Sequence, residues 1–270
     1  MAEKISNDFC YSIISDREVQ INSYIGDEEN IEIPEEINGL KVTEIKSLEK
    51  FKSIFRNPQR IRSLKLPSNL YSIDYGSFAD CTNLQNIEFP DSLGVIGDYS
   101  FVNCINLQNL ILPQFLKRIG KVAFWNCKNL KKVDLPNSLT FIDRGIFGYC
   151  ENLQTVILPD SLKEIADYTF HVCRNLTSVQ FPQFVTHINE KSFSFCSELE
   201  DINLPKTIES IENFAFYGCD KLKKIYLPDN VKFIGIFAFR SCKNLEMIEL
   251  NKKTRYADDV FENFTNLTFR

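Results

Sequence analysis

The fold is decided by one stretch of sequence, Pro67-Ser-Asn-Leu70-Tyr-Ser-Ile73-Asp-Tyr-Gly-Ser-Phe78-Ala-Asp-Cys81-Thr-Asn-Leu84-Gln-Asn-Ile87-Glu-Phe89-Pro90. Its last part alternates apolar and polar residues at 87–89, which is typical of a short strand. The proline that follows lacks an amide hydrogen and fixes φ, so it ends the strand. Between residues 74 and 81 the apolar side chains are three apart, which favours a single helical or 3₁₀ turn.

This stretch returns along the chain at a constant period, which is the interval from Pro67 to Pro90. Eight repeats share three landmarks, which are Pro67, Pro90, Pro113, Pro136, Pro159, Pro182, Pro205 and Pro228; Phe78, Phe101, Phe124, Phe147, Phe170, Phe193, Phe216 and Phe239; and Cys81, Cys104, Cys127, Cys150, Cys173, Cys196, Cys219 and Cys242. A repeat of this size cannot bury its own apolar face, so successive repeats must stack and share a core. The sequence therefore predicts an α/β solenoid with nine parallel strands, which at roughly 4.8 Å per strand form a sheet about 40 Å wide.

The two ends of the chain depart from the period. Residues 1–33 alternate in short runs separated by Asp and Gly, which predicts an N-terminal β-hairpin cap. Residues 34–250 form the array, in which one lengthened repeat from Pro34 to Pro67 precedes the eight regular repeats. Residues 251–270 resemble a truncated final repeat, in which Asn251 replaces the proline and Phe264 the cysteine. Terminal repeats of solenoids are atypical because one side faces water.

The repeat resembles the BspA-like, or Treponema-type, leucine-rich repeat, whose pattern is Leu-x-x-Ile-x₄-Phe-x-x-Cys-x-x-Leu-x-x-Ile-x-Leu-Pro. The resemblance extends over about residues 31 to 270, and the segment Ile33-Pro34-Glu35-Glu36-Ile37-Asn38-Gly39-Leu40-Lys41-Val42-Thr43 is similar to the family's N-terminal entry. It implies a right-handed arc with the parallel sheet on the concave side and short helical or 3₁₀ turns on the convex side. It also implies a surface or secreted protein that acts in adhesion or in recognition of a host or partner.

Composition and motifs favour no enzymatic chemistry. The net charge of −5 gives no electrostatic reason to expect nucleic acid as a partner. The chain has no apolar run long enough for a membrane span, and its opening residues have no apolar segment typical of a signal peptide. His171 and His187 occupy different repeat positions, so stacking does not bring them together. We predict no catalytic residues, no metal and no cofactor.

Two repeated columns have structural explanations. Cysteines a whole repeat apart lack the close spacing of a zinc site, so we interpret them as small core residues. An asparagine column suits the end of the turn, because Asn accepts a left-handed backbone and bonds nearby main-chain groups. It contains Asn83, Asn106, Asn129, Asn152, Asn175 and Asn244 and is interrupted by Glu198 and Lys221.

The candidate site lies on the outward positions of the predicted sheet, which vary between repeats. Exposed apolar residues with polar neighbours mark interaction surfaces, although β propensity alone also places Ile on exposed strands. Four outward residues are apolar, namely Ile111, Ile157, Tyr226 and Met247. The predicted partner-binding set is Asn109, Ile111, Lys132, Asp134, Thr155, Ile157, Ser178, Gln180, Asn203, Tyr226 and Met247.

A second group of apolar residues follows the core Phe or the turn proline. Trp125, Tyr149, His171, Phe195 and Tyr217 come just after successive core phenylalanines, and Phe115 and Phe184 follow prolines. These residues form a second candidate surface, on the outer side, and the favoured interpretation is that they thicken the packing there.

The leading hypothesis is thus a non-enzymatic module that binds a protein or a glycan. The alternatives are an intracellular scaffold for protein–protein interaction and the recognition part of a larger protein.

Overall fold

The computed structural model describes residues 4–50, 52–261 and 267–269. Its elements up to residue 65 are β1 (Lys4–Ser6), β2 (Phe9–Ile13), β3 (Glu18–Tyr24), β4 (Asn30–Glu32), β5 (Glu36–Ile37), β6 (Leu40–Ile45), a 3₁₀ helix (Pro58–Arg60) and β7 (Ser63–Lys65). The later strands are β8 (Ser72–Ile73), β9 (Asn86–Glu88), β10 (Val95–Ile96), β11 (Asn109–Ile111), β12 (Arg118–Ile119), β13 (Lys132–Asp134), β14 (Thr155–Ile157), β15 (Glu164–Ile165), β16 (Ser178–Gln180), β17 (His187–Ile188), β18 (Ser210–Ile211), β19 (Lys224–Tyr226), β20 (Phe233–Ile234), β21 (Met247–Leu250), β22 (Arg255–Tyr256) and β23 (Leu267–Phe269).

These strands form a parallel-strand β-solenoid of about ten turns. Most rungs (one rung being one repeat) contribute a three-residue strand before the proline and a two-residue strand after it. Equivalent positions of successive rungs pair in parallel, as in Val133↔Val156 and Ile96↔Ile119, so the register follows the sequence period. The three-residue strands form the ladders β4-β7-β9, β11-β13-β14-β16 and β19-β21-β23; the two-residue strands extend a ladder from β6 to β12 and form a second, β15-β17-β18-β20-β22.

The shared core is organised around the repeated phenylalanines. The side chains of Phe78 to Phe239 are buried, and the ring centroids of successive rungs are 5.2–6.1 Å apart. Phe55 of the lengthened repeat stacks on Phe78 at 5.9 Å, and Phe261 stacks on Phe239 at 6.0 Å. Aromatic rings at these spacings pack favourably beyond the area that they bury. The lengthened repeat therefore has a core phenylalanine of its own, Phe55. The longer interval from Pro34 to Pro67 made it hard to recognise in the sequence.

The turn side of each rung differs from its sequence prediction. Between residues 74 and 81 the amides of Ser77, Ala79 and Cys81 donate to the carbonyl three positions earlier, which forms overlapping turns. The alternate amides of Gly76, Phe78 and Asp80 donate to carbonyls of the next rung. The short helical or 3₁₀ turns expected here are not confirmed; in the part of the chain described, the 3₁₀ helix at 58–60 is the only helix.

Positive φ angles make this pattern of hydrogen bonds possible. In each regular rung the residues two before and two after the core phenylalanine have φ between 53° and 70°. Only a minority of these residues are glycine, and Val122 and Val172 are β-branched. A left-handed backbone costs such residues roughly 1–2 kcal/mol each. The bonds to the next rung offset that cost.

The sheet also departs from a single ladder of nine strands. Two ladder breaks divide the three-residue strands, and the predicted strand at 202–204 is replaced by one bridge, Asp201↔Lys224. The column of two-residue strands was not predicted. Most of its strands contain only one buried residue, as in Ser72–Ile73, so the sequence shows no alternation there.

At the N-terminus, β1, β2 and β3 pair antiparallel, whereas β3 pairs parallel with β6. β4, which was predicted within the hairpin cap, pairs parallel with β7 in the first ladder of the array. β23 pairs parallel with β21, while Phe264 lies outside the described residues. The boundaries at 33/34 and 250/251 stay predictions.

Candidate binding surface

The outward positions of the three-residue strands are in register along the solenoid. The ladder from β11 to β16 aligns Asn109, Lys132, Thr155 and Ser178 in one row, and Ile111, Asp134, Ile157 and Gln180 in the next. Their strands bury only or mainly the central residue, so these side chains point away from the core. Eight of the eleven predicted residues thus come together on one ladder.

The other three predicted residues lie beyond the ladder break. Tyr226 and Met247 belong to β19 and β21, where Tyr226 aligns with Glu249. Asn203 is exposed but belongs to no strand, and Met247 is half-buried. The candidate surface therefore has two sections separated at Asn203. We call these eleven residues the sheet face.

Three apolar side chains of the sheet face are strongly exposed. The exposed fractions are 82% for Ile111, 44% for Ile157 and 56% for Tyr226. Around them the sheet face is polar and nearly neutral, since Lys132 pairs with Asp134 at 2.9 Å. An exposed ion pair of this kind contributes little to stability. Burial of these apolar groups against a partner is thus the main interaction that this surface offers.

The repeated cysteines belong to the scaffold. The Sγ–H of each cysteine from Cys104 to Cys242 donates to the carbonyl of the phenylalanine in the preceding rung, at 3.1–3.3 Å. Burial raises the pKa of the Cys81 to Cys219 thiols, which disfavours the reactive thiolate. The described residues contain no cluster of His, Cys, Asp and Glu able to hold a metal ion.

The asparagine column bonds mainly across rungs. Asn129, Asn152 and Asn175 each donate from Nδ2 to Oδ1 of the asparagine one rung earlier, at 3.0–3.1 Å. At the ends of the column, Asn83 and Asn244 donate to backbone carbonyls instead. Glu198 and Lys221, which interrupt the column, also interact across rungs: Lys221 Nζ lies 2.6 Å from Glu198 Oε2. The whole column is structural.

Phe115 and Phe184 contradict their predicted packing role. At the same repeat position Ser138, Ser161 and Thr207 donate to a carbonyl of the preceding rung. A phenylalanine cannot make that bond, and the two rings are 72% and 50% exposed instead of packed. Both rings therefore add exposed apolar surface just after the turn prolines.

The other outer aromatics contact one another. Trp125, Tyr149, His171, Phe195 and Tyr217 form a zigzag with successive ring centroids 5.0–6.1 Å apart. This agrees with packing between rungs. Burial lowers the pKa of His171 to about 4, with Lys191 adding a smaller effect. Its Nδ1 has no hydrogen-bond partner in the described structure, and His187 belongs to β17, on a different side of the rung.

No helix of the described chain has the length and apolar character needed to cross a bilayer.

Comparisons with known proteins agree with this architecture. Residues 51–177 and 163–269 match, in six copies, the family described as the BspA type leucine-rich repeat region. No curated protein sequence matches the chain.

Several solved structures share the fold. A leucine-rich repeat protein from Bacteroides ovatus ATCC 8483 is 26% identical, with a TM-score of 0.87, over 98% of this chain and 70% of that one. The T. pallidum leucine-rich repeat protein is 26% identical, with a TM-score of 0.61, over 90% of this chain and 91% of that one. The pneumococcal vaccine antigen PcpA, 20% identical over 99% of this chain and 93% of its own, shares the fold with a TM-score of 0.55. The chain thus belongs to the BspA-type leucine-rich repeat family.

Proposed function

We propose that the chain is a non-enzymatic binding module that recognises a partner through the sheet face. The observation that carries the proposal is the exposure of Ile111, Ile157 and Tyr226 on strands whose backbones are fixed by the stacked rungs. A rigid surface loses little conformational freedom on binding, so more of the contact free energy appears as affinity. In the right-handed arc that the family resemblance implies, this sheet is the concave side.

Among protein and glycan partners, a protein fits the sheet face better. Two of its three exposed apolar residues, Ile111 and Ile157, are aliphatic and offer no flat ring on which a sugar could stack; Tyr226, beyond the ladder break, offers one ring. Protein interfaces typically place such side chains in a core with a polar rim. Here Asn109, Lys132 and Gln180 would supply that rim, since each is exposed in register beside them.

Photo-crosslinking tests which face the partner contacts. A photoreactive phenylalanine analogue is placed at Ile111, Ile157 or Tyr226. The matched exposed positions are Phe233 of β20 and Phe141, which has the same repeat position in a rung without that strand. We expect one crosslinked partner from the first three positions and none from the other two. Equal crosslinking from both sets would reject the sheet face as the binding surface.

A surface or secreted location is proposed from the family resemblance, with an intracellular scaffold as the alternative. Protease accessibility on intact source cells distinguishes them. A surface protein is cleaved without lysis, whereas an intracellular scaffold is protected.

A further inference from the structure

A second candidate site lies on the turn side, away from the sheet face. It is an open groove of about 460 Å³ lined by Tyr99, Lys121, Val122, Trp125, Arg144 and Tyr168. Tyr99, Val122 and Tyr168 occupy the same position in three rungs, two residues before the core phenylalanine. The rung between Val122 and Tyr168 has Gly145 there, so one side chain is missing between the half-buried rings of Tyr99 and Tyr168. Tyr99 and Tyr168 are three rungs apart, roughly 14 Å at the usual strand spacing.

Gly145 also determines the base of the groove. Its φ is +66°, and a Cβ on it would lie 3.1 Å from Cζ3 of Trp125. The indole ring also covers Gly148, where an added Cβ would lie 2.2 Å from the same atom. Two glycines therefore make room for the Trp125 ring over the next rung, where it lines the groove.

Two cations line the groove without an acidic partner. Among the described residues neither Lys121 nor Arg144 forms an ion pair, and both side chains are exposed. The Arg144 guanidinium lies 4.6 Å from the centroid of the Tyr168 ring, which holds its planar fork in place. The acids beside the groove have partners of their own. Asp98 accepts from Arg118 and from the Lys121 amide, Asp143 accepts from the Arg144 amide, and Glu190 pairs with Lys191 and accepts from Tyr168 Oη. Lys121 and Arg144 are the two charged side chains of the groove lining, and both are basic, although the chain has a net charge of −5.

The backbone of the groove is not available to a ligand's main chain. The Val122 amide donates to the Arg144 carbonyl at 3.0 Å, and the Gly145 amide donates to the Asp167 carbonyl at 2.8 Å. A peptide could not add a strand here, because such binding needs free edge groups. Recognition must come from ring faces and from the two cations.

We propose that this groove binds an anionic oligosaccharide whose pyranose rings carry carboxylates. The apolar C–H faces of the sugars pack on Tyr99 and Trp125, and the carboxylates accept hydrogen bonds from Lys121 and from Arg144, whose guanidinium lies over the Tyr168 ring. A guanidinium can bind a carboxylate through two parallel hydrogen bonds, which fixes the ligand's orientation as well as its charge. Lys191 donates to Tyr168 Oη at 3.1 Å and so keeps the far ring in position.

Titration calorimetry with trigalacturonic acid tests the proposal. We expect binding that weakens roughly tenfold in Arg144→Gln, the loss of a charged hydrogen bond, and several-fold in Lys121→Gln. Lys163→Gln is the matched control, because Lys163 also lies over an aromatic ring, that of Phe184, but outside the groove. Its affinity should stay within about twofold of the parent. Circular dichroism confirms that each variant is folded.

Two further ligands complete the test. The methyl ester of the same trisaccharide keeps the sugar faces and loses the charge, so we expect it to bind at least roughly tenfold more weakly. A short glutamate peptide carries the charge without the rings and should not bind. No binding of trigalacturonic acid, equal binding of its ester, or preference for the peptide would each overturn the proposal. The sheet face shares no residue with this groove, so its own crosslinking test is unaffected by any of these results.

Discussion

At the scale of single residues, the thiols of this chain are buried hydrogen-bond donors. Each cysteine from Cys104 to Cys242 contacts a carbonyl in the preceding rung, so it links two rungs as well as filling the core. The sequence predicted a small buried residue at this position, which the structure confirms. It could not predict the bond, because the acceptor lies 26 residues away in a neighbouring rung.

Thiol titration with a disulfide reagent checks this description. Burial raises the pKa of seven of the column thiols, and only Cys242 is partly exposed. We therefore expect at most one fast-reacting thiol in the folded protein and all nine after unfolding in urea. Fast reaction of several thiols in the folded state would contradict it.

His171 makes the stability of the fold depend on pH. Burial lowers its pKa to about 4 in the folded protein, so the unfolded chain takes up a proton first as the pH falls. Stability attributable to this group is thus complete above about pH 6.5 and declines from there toward pH 4. Because the ring is partly exposed, we expect a loss on the order of 1 kcal/mol.

Urea unfolding at about pH 7 and about pH 5 measures this effect. His171→Phe keeps the ring contacts and should reduce the loss of stability between the two conditions. His187→Asn, on an exposed strand position, is the control and should leave it unchanged. An identical pH dependence in His171→Phe and the parent would show that another group is responsible.

At the scale of elements, the spacing of apolar residues on the turn side is compatible with more than one backbone structure. Apolar residues three apart between 74 and 81 fit a helical turn, but overlapping turns with positive φ produce the same spacing. Few of those positions are glycine, so the usual sign of a left-handed backbone is missing from the sequence. The two-residue strands were not predicted for a related reason. A strand such as Val95–Ile96 has one buried residue, which is too few to show an alternation of buried and exposed positions.

Glycine replacements separate backbone strain from crowding, with Gly218 in one of these turns and Gly39 in the tight turn between β5 and β6. Gly218 has φ +70°, and a Cβ there would lie 2.9 Å from Cδ1 of Phe195; Gly39 has φ +77° with open space around it. We expect Gly39→Ala to cost roughly 1–2 kcal/mol for the backbone alone. Gly218→Ala should cost clearly more in thermal or urea unfolding. Equal losses would mean that Phe195 moves aside freely.

At the scale of the whole molecule, the strictly repeated columns build a scaffold and the varied positions offer surfaces. The repeat period, the stacking and the outward direction of Ile111, Ile157 and Tyr226 follow from sequence, because each depends on local spacing. The breaks in the ladders and the groove beside Gly145 do not, since they depend on how neighbouring rungs fit together. Recognition of a partner by the sheet face remains a prediction.

The phenylalanine stack should support the array as a whole. Phe147 is fully buried between Phe124 and Phe170, at 5.8 and 6.1 Å. Phe147→Ala removes a ring from the middle of the stack and should lower the free energy of unfolding by roughly 3–5 kcal/mol. Calorimetry should also show a broader transition, because neighbouring rungs lose their shared interface. A loss below about 1 kcal/mol would indicate that the rungs are stabilised independently of this stack.

The central claim is that the apolar residues of the sheet face bind the partner. The direct test is the affinity of the partner for the variant Ile111→Lys, Ile157→Lys and Tyr226→Lys, measured together with its melting temperature. Lysine is chosen because Asp134 and Glu249 are in register with these positions, which avoids repulsion between like charges. Leu48→Lys, Phe141→Lys and Ile236→Lys form the control, with 60%, 50% and 45% exposure elsewhere on the surface.

For the sheet-face variant we predict that the affinity falls by roughly a hundredfold or more, since central apolar contacts carry most of the binding free energy. Its melting temperature should stay close to that of the parent, because exposed substitutions change stability little. The control variant should keep both properties. Unchanged affinity in a folded sheet-face variant would contradict the central claim.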